Sequence, residues 1–155
     1  MLVQRCALDQ HRLILPVSVS KPALQAGQFH GSFSGKHYRA LVDTGAQRTV
    51  LSERVIAELN LLRTGHMQFS GLHGPRTHTR YLASLGIWAH RVDRGGSGSR
   101  LDQNELSLFS LDEPIEIVNM DDNVNFDLIL GFDVLKNFSF SFDSQSREFE
   151  ITLSP

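Results

Sequence analysis

The chain has 155 residues, 41% of them hydrophobic and 21% charged, with a formal net charge of −2. That length suits one domain and is short for two, and the balance is ordinary for a globular protein. The slight negative charge argues against a nucleic-acid grip, and the single Cys6 excludes an internal disulfide framework.

Strand signals begin at Leu13-Ile14-Leu15-Pro16-Val17-Ser18-Val19, with Pro16 expected near an edge or a bulge. Met1 to Pro16 carries no long apolar run, so no secretory signal is expected. No stretch approaches the roughly 20 apolar residues that span a bilayer. A cytoplasmic location is the expectation, with a membrane anchor outside these residues left open. Lys21 to Lys36 is polar and Gly-rich and reads as a long hairpin loop. Tyr38 to Val42 reads as a strand, followed by Asp43-Thr44-Gly45-Ala46 and then the apolar Val50 and Leu51.

Ser52 is the expected N-cap of a short helix, Glu53 to Leu59, with Val55, Ile56 and Leu59 on one side. Met67 to Leu85 fits a hairpin with its tip at Gly71 to Pro75, and strand character continues to Ala89. The Gly/Ser-rich run Asp93 to Arg100 reads as part of a flexible insertion, about 91–106, within the domain. Pro114 to Val118 alternates as a half-buried strand should, as do Phe138 to Asp143 and Phe149 to Leu153. Between them, Phe126 to Leu130 is an apolar strand that ends in Gly131 and runs into a short helix. Many short strands and little helix predict a mostly β, barrel-like single domain over residues 1–155, with one or two short helices.

Asp43-Thr44-Gly45-Ala46 carries the most chemistry. An acid followed by a hydroxyl and a glycine at a tight turn can be presented among backbone amides, because Gly45 has no Cβ to keep its amide away. The same tripeptide also suits an ordinary β-turn. Leu41 to Gln47, taken with Ile129-Leu130-Gly131 downstream and Gly71-Leu72-His73-Gly74 between them, resembles the retropepsin-like aspartic proteases. Gln47 and Asp133 look closer to the cellular DNA-damage-inducible-type branch than to the retroviral enzymes.

That resemblance implies an acid-protease β-barrel and an aspartic endopeptidase acting on a polypeptide, with no cofactor and no metal. Peptide hydrolysis by this route uses two carboxylates, one as base toward water and one as acid toward the carbonyl. The chain has one Asp-Thr-Gly, and Asp93-Arg94-Gly95 lacks the apolar strand that should precede a second. The family's solution is a homodimer in which each subunit supplies its Asp43 across a two-fold axis. By the same resemblance Thr44 braces the two loops, Gly45 places its amide at the carboxylate, and Gly131 lets its strand pass behind the loop. Ala46 lacks the hydroxyl that some members carry there.

Gly71, Leu72, His73 and Gly74 would form a flap over substrate, although a plain hairpin tip suits them too. Val50, Leu72 and Ile129 would favour hydrophobic side chains beside the scissile bond. Phe149 to Leu153 would join an intermolecular sheet, as chain termini do in the family. Arg48 and Asp133 are placed either to pair with each other or, for Asp133, to cap the last helix. The rival reading is a non-catalytic dimerisation or peptide-binding domain on the same fold. A metal role for His66, His73 and His78 is disfavoured by their wide spacing and the lack of a cysteine among them. Cys6, near the terminus, makes a poor nucleophile.

Overall fold

The computed structural model describes residues 2–25, 27–71, 74–91 and 106–153. In chain order they form β1 (Leu2–Ala7), β2 (Ile14–Ser20), β3 (Pro22–Gln25), β4 (Gln28–Gly31), β5 (Tyr38–Val42) and β6 (Val50–Ser52). Then come α1 (Glu53–Leu59), β7 (Leu62–Gly71), β8 (Gly74–Arg91), β9 (Leu106–Ser110), β10 (Ile115–Met120) and β11 (Leu128–Leu130). α2 (Phe132–Leu135), β12 (Ser139–Asp143) and β13 (Glu148–Leu153) complete the described chain, which is mostly β with two short helices.

Strand pairing runs in a closed circuit, β8–β10–β6–β11–β5–β2 and back to β8. The side chains inside it make the core: Leu15, Val17, Ala40, Leu51, Leu85, Ile87, Leu128 and Leu130 are each at most 1% exposed. Alternation explains the choice, since β5 buries Tyr38, Ala40 and Val42 and turns Arg39 and Leu41 outward. Burial pushes the Tyr38 phenol up to about 12, aided by the Glu58 carboxylate that accepts its hydrogen bond at 3.1 Å. Pro16 sits where β2 changes partners: β5 pairs with Ile14 to Val17 and β8 with Val17 to Ser20. It therefore has a neighbour on one side only, as a residue without an N–H requires.

Several elements depart from the sequence reading. Lys21 to Lys36 is not all loop, because β3 and β4 pair as a hairpin through Gly27 at φ 81°. β1 and β9 are strands that the sequence reading passed over; Cys6 lies in β1 opposite Phe149, not on a frayed end. β13 pairs with β1 along one edge and, from Glu148 to Thr152, with β12 along the other. Of the expected Phe149 to Leu153 edge, both sides are therefore taken from Phe149 to Thr152 among the described residues. The end of the strand order is β12, whose five residues are all exposed, Phe140 and Phe142 among them. Ser52 precedes α1 as expected, but its side chain makes no capping bond. Most of the insertion, at residues 92–105, lies outside the described residues.

Candidate active site

The Asp43 turn does not join two paired strands. β11 lies between β5 and β6, parallel to the first and antiparallel to the second. A plain hairpin turn would leave β5 and β6 side by side, so Asp43 to Ala46, although closed as a local β-turn by Ala46 N and Asp43 O, do not make a hairpin. Asp127 docks the incoming strand. Its N–H donates to Arg39 O at 2.8 Å, its carboxylate accepts from Arg39 N at 2.8 Å, and its carbonyl accepts from Ser52 N at 2.9 Å. The Arg54 guanidinium pairs with the same carboxylate from α1.

Asp43 is thereby held from both directions. Its N–H donates to Leu130 O at 3.1 Å, and Phe132 N donates to Ala46 O at 2.7 Å. Within the loop, Gly45 N donates to Asp43 Oδ1 at 2.9 Å and Ala46 N to Asp43 O at 3.3 Å. A Cβ on Gly45 would sit 3.3 Å from that same Oδ1, tighter than ordinary contact. The glycine lets its amide reach the acid while Thr44 and Gly45 stay exposed and Asp43 half-exposed. Such a carboxylate is fixed in direction yet open to water, the arrangement a general base needs.

Behind the loop lies a second set of bonds. Thr49, fully buried, donates from its N–H to Asp133 Oδ2 at 3.0 Å and from its hydroxyl to Asp133 Oδ1 at 2.8 Å. The Thr49 hydroxyl accepts in turn from Gly131 N at 3.1 Å. Asp133 therefore neither pairs with Arg48 nor serves as N-cap of α2; that position is Gly131, and Arg48 is exposed without an ion pair among the described residues. Replacing Asp133 by Ala leaves both donors of the fully buried Thr49 without their acceptor. The expected loss is about 2–3 kcal/mol of stability by urea unfolding, with Asp133→Asn losing less because it keeps one acceptor.

Val50 and Ile129 are directly opposite in the β6–β11 pair, and Leu41 flanks Ile129 from β5. All three are half-buried and share the face opposite the core. Gly71 and Gly74 close the β7–β8 ladder, with Gly74 at φ 90°. Leu72 and His73 lie outside the described residues. His66 and His78 do not converge: His66 is exposed, while His78 Nδ1 hydrogen-bonds Asn119 O at 3.0 Å. Among the described residues no three His, Cys, Asp or Glu gather as metal ligands. Burial pushes the Cys6 thiol up, which keeps it out of the thiolate form.

Sequence reasoning missed Thr49 and Phe132. Thr49 opens an apolar run, so its hydroxyl signalled little, although a buried threonine always needs a partner. Phe132, 55% exposed, gave no signal that its amide secures Ala46.

Among solved structures, the chain is similar to a retropepsin-like aspartic protease from Rickettsia conorii. That match is 14% identical and covers 97% of this chain and 92% of that one, at a TM-score of 0.49. It is also similar to the retroviral protease-like domain of Ddi1 from Leishmania major, 15% identical over 93% and 94% of the two chains, at a TM-score of 0.42. No curated protein matches the sequence. No helix among the described residues is long and apolar enough to cross a membrane. The sequence from residue 29 to residue 134 matches the Asp_protease_2 aspartyl protease family, a span that holds the Asp43 loop, β11 and most of α2, and the chain belongs to that family.

Proposed function

We propose that this chain is an aspartic endopeptidase whose site is completed by a second copy of itself. The observation that carries the reading is the clamped Asp43 loop, a half-exposed acid braced by a strand from far downstream. One copy brings one such acid, and the chemistry needs two. In the two-fold dimer the Asp43 carboxylates share one proton. The ionised one takes a proton from water as the water oxygen attacks the peptide carbonyl, and the protonated one gives its proton to the carbonyl oxygen. The tetrahedral intermediate then collapses, the C–N bond breaks, and a proton passes to the leaving amine. Thr44 and Gly45, exposed beside the acid, face the partner loop, and Ala46 and Gly131 hold the loop from behind. Val50 and Ile129 favour hydrophobic side chains in an extended substrate, with Gly71 to Gly74 above it. The domain spans residues 1–155, and Gln47 with Asp133 supports the DNA-damage-inducible-type branch.

The deciding experiment is cleavage of a peptide library by the purified chain from acidic to mildly alkaline pH. Products that vanish with Asp43→Asn support the reading. A dimer that cleaves nothing instead marks a non-catalytic dimerisation or peptide-binding domain.

For the dimer, the edge of β12 that carries no strand among the described residues takes the place of the chain end. Pairing two β12 strands antiparallel about Ser141 sets Phe140 of each opposite Phe142 of the other, on one face. Specific activity should fall on dilution, since each site needs two chains. Phe142→Asp should raise the dimer dissociation constant at least about tenfold in sedimentation experiments, by placing a charge in that strip. Unchanged association in the variant would move the interface elsewhere.

A further inference from the structure

We infer that Asn119 is a positioning residue, the clamp that fixes the root of the β7–β8 ribbon relative to the strand following the Asp43 loop. The inference rests on the aspartic protease reading, because it assigns the ribbon a task over the acid. β10 supports β8 only from Ala83 to Arg80; Val118 pairs with both β8 and β6, and past it β10 pairs with β6 alone among the described residues. Beyond Arg80 the ribbon is two-stranded, from His66↔Thr79 to Gly71↔Gly74. A two-stranded ribbon takes its direction from whatever holds its root.

Asn119 holds that root with three bonds. Its side-chain Oδ1 accepts from Thr79 N at 2.9 Å, continuing the ladder where β10 backbone no longer reaches. Its carbonyl accepts from His78 Nδ1 at 3.0 Å, so that ring nitrogen carries hydrogen, and the His78 ring meets Phe69 edge-on across the ribbon, centroids 5.6 Å apart. Its Nδ2 donates to Glu53 Oε1 at 2.8 Å in the first turn of α1. Asn119 itself is paired with Leu51 in β6, the strand that begins just after Thr49. The side chain must therefore accept from one neighbour and donate to another at the same time. An amide of this length does both, and a carboxylate does only the first.

That requirement supplies a test by exchange of polarity. Asn119→Asp sets a carboxylate against Glu53 and should lower kcat/KM about tenfold, the scale of one lost bond plus repulsion. The repulsion drives the new carboxylate off Thr79 N, so that amide should exchange faster. Glu53→Gln alone should change little, because its amide oxygen still accepts from Asn119. Asn119→Asp with Glu53→Gln restores a donor–acceptor pair in reverse, and should return both kcat/KM and Thr79 protection to within about twofold of wild type. Rescue of both is the expected result. Wild-type turnover in Asn119→Asp, or loss without rescue in the double variant, overturns the clamp, even if Thr79 exchange has changed. A wild type that cleaves no peptide removes the protease reading by itself. The clamp then stands or falls on whether Thr79 protection is lost in Asn119→Asp and regained in the double variant.

Discussion

Asp43→Asn should keep its fold and its dimer and lose peptide cleavage by at least about a thousandfold. The asparagine oxygen still accepts from Gly45 N, so the loop bonds at Leu130, Ala46 and Phe132 have no reason to change. What disappears is the ability to take a proton from water or to hold the one shared by the pair. A two-copy site adds a sharper expectation. Mixed dimers of wild type and Asp43→Asn carry one carboxylate each, so an excess of variant should suppress wild-type activity as subunits exchange. Activity that merely dilutes in proportion would mean that one Asp43 suffices, and the half-site argument would fall.

Gly131→Ala should lose both stability and activity. The glycine has φ −87°, which any residue adopts, so its role is space and not conformational freedom. A Cβ there would lie 2.4 Å from the carbonyl carbon of Arg48, 2.5 Å from its oxygen and 2.8 Å from Thr49 N. Those are backbone atoms, and Thr49 is tied to Asp133, so nothing nearby can swing aside. The cost is about 3 kcal/mol, at the upper end of small overpacking changes. For a chain of this size that is a fall in melting temperature of about 6–12 °C. Relief requires β11 and the Arg48–Thr49 segment to move apart, which also shifts the support under Asp43. A variant within about 1 °C of wild type would show that the two segments are not in contact in solution.

The elements legible in the sequence were those whose signal is local. β5, α1, the β7–β8 hairpin and β11 each carry their own periodicity or turn residues. The Asp43 loop and Gly131 were legible as motifs. β1 was not, because Leu2-Val3-Gln4-Arg5-Cys6-Ala7 alternates weakly and is a strand by virtue of β13 beside it. β3 and β4 have too few apolar residues to show a pattern and are defined by backbone pairing. Asp133 was misread because local rules offered a cap or an ion pair, while a buried threonine from the far side of β11 took both its oxygens. Asn119 escaped notice for the same reason, since nothing near it in the chain announces Thr79 or Glu53.

The insertion of β11 between β5 and β6 also sets the order of events in folding. Asp43 and Leu130 are far apart in the chain, and closing that separation is slow compared with forming α1 or the β7–β8 hairpin. As the chain emerges during synthesis, at about 5–20 residues per second, the turn at Asp43 waits several seconds for the segment that braces it. Until Leu130 to Asp133 arrive, Asp43 has only the bonds within its own loop, from Gly45 N and Ala46 N, and lacks those that tie the loop to β11 and α2. A chain shortened before β11 lacks the bond from Asp43 N to Leu130 O, and on the aspartic protease reading it should cleave no peptide.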